Sequence, residues 1–95
     1  MRKITNDAAA AFYRGVPFKM SNTHVEVNGE EVALFLHGNC IAKRDQKNVY
    51  ITMAGWCTNT TKERLKGISP VNICTKNGQL YLNGEPWDGE WIKVN

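Results

Sequence analysis

The 95 residues are 42% hydrophobic and 22% charged, with a net charge of +3, the composition of one ordinary globular domain spanning residues 1–95. No run approaches the roughly 18 apolar residues of a membrane span. The basic start, Arg2-Lys3, followed by the short Ala8–Tyr13 run broken at Arg14, does not make a secretory leader, so the expected compartment is the cytoplasm. Cys40, Cys57 and Cys74 are odd in number and lack a leader, which points to reduced thiols rather than a disulfide framework.

Residues 4–14 predict a helix, capped by Thr5 or Asn6, with Asp7 in the first turn and Gly15 and Pro17 ending it. Ile4, Ala8, Ala11 and Phe12 form one apolar stripe, suited to covering a sheet. From Thr23 the period drops to two. Val25 and Val27 make one strand and Val32, Leu34 and Leu36 the next, with Asn28-Gly29 between them as a type I′ turn. Gly38-Asn39 predicts a second turn, leading to strands at Cys40–Lys43 and Val49–Met53. Together these form a four-strand antiparallel meander.

Gly55 breaks the pattern and a short second helix follows. Thr60 and Glu63 have the spacing of a capping box. Leu65 is the main apolar contact, Gly67 and Pro70 mark the end, and Trp56 is placed to pin the start. Strands resume at Val71–Thr75 and Leu80–Leu82, joined by Asn77-Gly78. Asn83-Gly84 and Asp88-Gly89 are further turn signals, and Trp91–Val94 is a last short strand. Phe12, Phe35, Trp56, Tyr81 and Trp91 read as core, and Trp87, between a proline and a turn, as the ring left partly exposed. The expected fold class is α+β: an antiparallel sheet of about seven short strands, packed by the N-terminal helix, with a short second helix mid-chain.

Catalysis leaves no clear trace. His24 and His37 have no obvious nucleophile or acid partner, the carboxylates form no convincing pair, and the glycines are scattered through turns rather than gathered in a phosphate loop. His37 and Cys40 are spaced like two zinc ligands that Cys57 and Cys74 could complete, but a second close pair is lacking. The expectation is a protein without enzymatic activity, metal or cofactor.

Charge is unevenly distributed. Residues 43–66 hold Lys43, Arg44, Lys47, Lys62, Arg64 and Lys66 against Asp45 and Glu63, while residues 20–42 hold three glutamates and no lysine or arginine. A helix start is an anion-friendly place. The candidate binding residues are therefore Thr58, Thr60, Thr61, Lys62 and Arg64 at that start, Lys43 and Arg44 at the beginning of the same basic segment, and Trp87 as an interface anchor.

Leu36-His37-Gly38-Asn39, Gly55-Trp56 with Thr58 and Thr60–Leu65, and Tyr81-Leu82-Asn83-Gly84 with Trp87-Asp88-Gly89 together resemble small non-virion proteins encoded by tailed bacteriophages. The resemblance covers most of the chain. It implies no catalytic residues; it implies a protein made in an infected bacterium that engages and inhibits a host or anti-phage defence component, most simply a host or defence protein. The alternative is a nucleic-acid or nucleotide binder using the basic 43–66 segment. A free edge strand would also allow a homodimer.

Overall fold

A computed structural model describes residues 2–55 and 57–95. Among them are two helices, α1 (Lys3–Arg14) and α2 (Asn59–Ile68), and nine strands: β1 (Phe18–Met20), β2 (Thr23–Asn28), β3 (Glu31–Leu36), β4 (Asn39–Arg44), β5 (Val49–Ile51), β6 (Ile73–Lys76), β7 (Gln79–Leu82), β8 (Glu85–Pro86) and β9 (Ile92–Lys93). The class is α+β, as expected. The strands form two antiparallel sheets rather than one, a six-stranded sheet in the order β1-β2-β3-β4-β5-β9 and a three-stranded sheet β6-β7-β8.

The meander is present and longer than predicted. The unpredicted β1 pairs with β2, and β9 returns from the end of the chain to pair with β5. The turns lie within a residue of their sequence signals. Register pairs Asn28 with Glu31, so the first turn is Gly29-Glu30, with φ positive at Gly29 alone among the two; that is the II′ pattern, not I′. The second is His37-Gly38, both at positive φ.

One face of the large sheet is apolar. Val25, Leu34, Ala42 and Ile51 stand opposite one another across β2–β5 and all are buried. A bulge in β4 sets Ile41 and Ala42 against the single residue Leu34, and both side chains are buried. The helices cover this inner face, α1 over β1–β3 and α2 beside β4 and β6. Phe12 from α1, Leu65 and Ile68 from α2, and Ile73 and Leu82 from the small sheet complete one continuous core.

The capping expectations change. The α1 N-cap is Arg2, without a side-chain hydrogen bond, and Thr5 lies buried inside the helix. The α2 N-cap is Thr58, whose hydroxyl accepts from the Thr61 N–H at 3.2 Å. No Thr60–Glu63 box forms, because Glu63 turns instead to Thr5 and Arg64. Gly67 is helical, and the helix runs on to Ile68. Phe35 and Tyr81, expected in the core, are only half-buried, and two further aromatic expectations are reversed. Trp87 is 7% exposed, its indole N–H donating to the Glu90 carbonyl at 3.0 Å, whereas Trp91 is 42% exposed. The role expected of Trp56 lies outside the described residues.

Candidate binding surface

The predicted site residues divide between three places. Thr58, Thr60 and Thr61 come together at the α2 start, facing His37 and Asn39 of the β3–β4 hairpin across a cleft of about 410 Å³ floored by Leu36 and Ile41. Two segments singled out in the sequence thus meet in space. Thr58 and Thr61 nevertheless spend their hydroxyls on each other, 3.0 Å apart, as part of the cap. Lys62 donates to Thr75 Oγ1 at 2.7 Å and ties α2 to β6.

Arg64 and Arg44 are taken up by the fold. Arg64 is 2% exposed. Its Nη1 donates to Thr5 Oγ1 (2.7 Å) and Glu63 Oε1 (2.6 Å), and its Nε donates to Thr23 Oγ1 (3.1 Å). The Thr23 hydroxyl passes the chain on to Asn22 Oδ1 at 2.8 Å, and Asn22 Nδ2 lies 3.3 Å from His37 Nε2. Burial pushes the Glu63 carboxyl up, but the Thr5 hydrogen bond and the Arg2 and Arg64 charges outweigh it and hold it below its ordinary value. Arg44 projects inward from β4 and donates to the Phe12 carbonyl (2.7 Å) and the Tyr13 carbonyl (3.0 Å). A cation there suits the negative end of α1. The 43–66 segment therefore does not present its charge as one cationic surface.

Lys43 behaves differently. The β4 bulge puts it on the outer face of the sheet, on the same side as Cys40, where strict alternation would have separated the two. Register then places Lys43 opposite Tyr50 and Tyr50 opposite Lys93, a cross-strand row over β4, β5 and β9. The Lys43 ammonium lies 4.6 Å from the Trp91 ring centroid and 6.0 Å from that of Tyr50, within cation–π range. Next to this group on the same face, the His24 and Phe35 rings stack 4.6 Å apart and nearly parallel, on strands that pair with one another and on to Cys40.

A cleft of about 490 Å³ runs along the row, lined by Glu31, Lys43, Arg44, Asp45, Tyr50, Trp91, Ile92 and Lys93. Trp91 is held there from behind. The Gly89 carbonyl accepts from the Met53 N–H (2.8 Å) and the Thr52 hydroxyl (2.7 Å), clamping the preceding loop to the end of β5. Gly89 has φ +85°, and a Cβ on it would meet Met53 Cβ at 3.3 Å, so only glycine fits without displacing the loop.

Tyr50, Trp91 and Lys93 were not among the sequence candidates. Lys93 sits in an acidic stretch of sequence, and only the return of β9 to β5 brings it beside Lys43. The zinc candidates do not gather. His37, Cys57 and Cys74 are exposed, Cys40 is half-buried, and among the described residues no three His, Cys, Asp or Glu side chains approach one another as metal ligands would. Among the same residues no helix is long and apolar enough to cross a membrane.

What this fold defines is a small α+β domain with both helices on one side of its main sheet and a ring-and-lysine row on the other. The chain belongs to the Kyanoviridae Gp96 protein family, whose model matches residues 1–94, which makes it a bacteriophage protein. That agrees with the phage context implied by its motifs. No curated protein and no solved structure matches it.

Proposed function

We propose that this phage protein acts by binding, without catalysis, metal or cofactor. It engages and inhibits a host or anti-phage defence component in the cytoplasm of the infected cell, and the β4–β5–β9 face is its working surface. The observation that carries this reading is Trp91. A folded chain ordinarily buries its largest apolar side chain, yet this indole stands 42% exposed, held in position by Lys43 and by the clamped Gly89 loop. Exposed, fixed tryptophans are common anchors of interfaces. Strands present Lys43, Tyr50 and Lys93, and Trp91 stands directly before β9 at the end of the clamped loop, so little ordering entropy opposes binding.

The test is capture from infected-cell lysate with the tagged protein, with Trp91→Ala and Lys76→Ala compared alongside it. Lys76 lies exposed on β6, away from the row. The expected result is a specific component retained by the native chain and by Lys76→Ala and lost with Trp91→Ala, all three remaining folded by circular dichroism. Equal retention by the Trp91 variant, or nothing retained by the native chain, would overturn the reading.

A further inference from the structure

We infer that the component held on this face is single-stranded nucleic acid, its bases stacking on Trp91 and Tyr50 and its phosphates meeting Lys43 and Lys93. The inference rests on the preceding reading of the face as the working surface and adds the chemical class of the partner.

The first support is the alternation of rings and cations. Lys43, Tyr50 and Lys93 follow one another across three adjacent strands, in steps of about 4.8 Å, so a lysine stands on either side of Tyr50 in register. Trp91 lies two residues before Lys93, with Lys43 at its face. An unpaired strand presents planar bases and phosphates in the same interleaved fashion, and proteins that hold single strands combine stacking rings with a positive track. A duplex hides its base faces and would meet only the lysines.

The second support is charge. Among the described residues neither Lys43 nor Lys93 forms a salt bridge. Glu31 and Asp45 border the cleft against Lys43, Arg44 and Lys93, leaving its lining with an excess of positive charge. Asp45 accepts the Lys47 and Asn48 backbone N–H groups at 2.8 and 2.7 Å within its own turn. Glu26 on the same face accepts from His24 at 2.8 Å. Glu31 alone borders the cleft without such a partner among the described residues.

The third consideration separates a nucleic acid from a protein. Lysine is depleted in protein–protein interfaces, whose buried centres are contiguous and apolar. Here an ammonium group lies on or beside each of the two outer rings, which interrupts any such centre. Lysine beside a stacking ring is instead what phosphate and base contacts require.

Fluorescence anisotropy of labelled single-stranded oligothymidylate, and of a matched duplex, tests the inference at about 50 and about 200 mM salt. Contact with two phosphates predicts a log–log salt slope of about −1.4, or about sevenfold weaker binding across that range. Trp91→Ala should weaken single-strand binding by about 5- to 150-fold, the effect of losing one stacked base. Lys43→Glu with Lys93→Glu should abolish binding, and Lys76→Ala should leave it unchanged. No binding at low salt, indifference to Trp91→Ala, or preference for the duplex would overturn the inference. If lysate capture still depended on Trp91 in that event, the partner would be a protein and the binding function would stand. If capture failed as well, both readings would fall.

Discussion

Arg64 gives up its water for two threonine hydroxyls from distant parts of the sequence and the carboxylate of the residue before it. Such a group holds the fold together through the penalty of leaving it unpaired. Arg64→Ala removes the donors to the Thr5 and Thr23 hydroxyls, which keep their own bonds to Glu63 and Asn22, and leaves a buried cavity. It should cost about 2–3 kcal/mol, read as a lower urea midpoint at unchanged m-value. Arg64→Lys should recover only part of this, since one ammonium cannot span both hydroxyls as the planar fork does. Glu63 adds a pH dependence. Its carboxyl is lowered in the folded state, so its contribution is complete above the unfolded value of about 4.3 and is lost as pH falls through the lower folded value. Thermal melts across the acid range should show that loss, and Glu63→Gln should flatten it. In the sequence these two residues read as an exposed, charged helix start. Nothing local to residues 60–66 signals that Thr5 and Thr23 will arrive to bury one and recruit the other.

The second helix illustrates the same competition at the scale of an element. Thr60 and Glu63 have capping-box spacing, but Thr58 lies two residues earlier and Thr61 answers it with both its N–H and its hydroxyl. Once Arg64 and Thr5 draw Glu63 away, the earlier threonine wins. Thr58→Ala should therefore destabilise by about 1 kcal/mol, while Thr60→Ala should stay within about 0.5 kcal/mol. Parallel urea titrations of the two variants decide between the two caps, and the reverse ranking would restore the box. The hairpins were legible to within one residue because glycine at positive φ is a local requirement. At Asn77-Gly78 and Asn83-Gly84 both residues take it as the signal foretells. β1 was not legible, being three residues with a central lysine after Pro17, and it exists through its pairing with β2. Nor was the β4 bulge, which no residue type announces, although it decides where Lys43 points.

For the whole molecule, fold class and the meander follow from periodicity, since alternation over β2 and β3 fixes which side each residue faces. The candidate surface was only partly legible. Lys43 was named for its charge, but its neighbours Tyr50, Trp91 and Lys93 reach it through the long-range pairing of β9 with β5. Trp87 and Trp91 exchanged their expected places for a related reason. The small sheet folds Trp87 into the shared core, and the Gly89 clamp carries the chain outward just before Trp91.

The hydrogen bonds of Arg64 also bear on the order in which the molecule assembles. Thr5 lies 59 positions away and Thr23 lies 41, so the network cannot close until the first helix, the first hairpin and the second helix have all docked. Local hairpins such as β2–β3 have far shorter loops to close and are the better nucleus. Arg64 should therefore belong to the late events of folding. Its substitution should leave the refolding rate nearly unchanged and put almost all of the lost stability into faster unfolding, visible as displacement of only the unfolding limb in stopped-flow denaturant kinetics. A matching slowdown of refolding would instead place the buried guanidinium in the nucleus. On the late-closure reading, the network acts as a latch that governs how long the native state persists rather than how quickly it is reached.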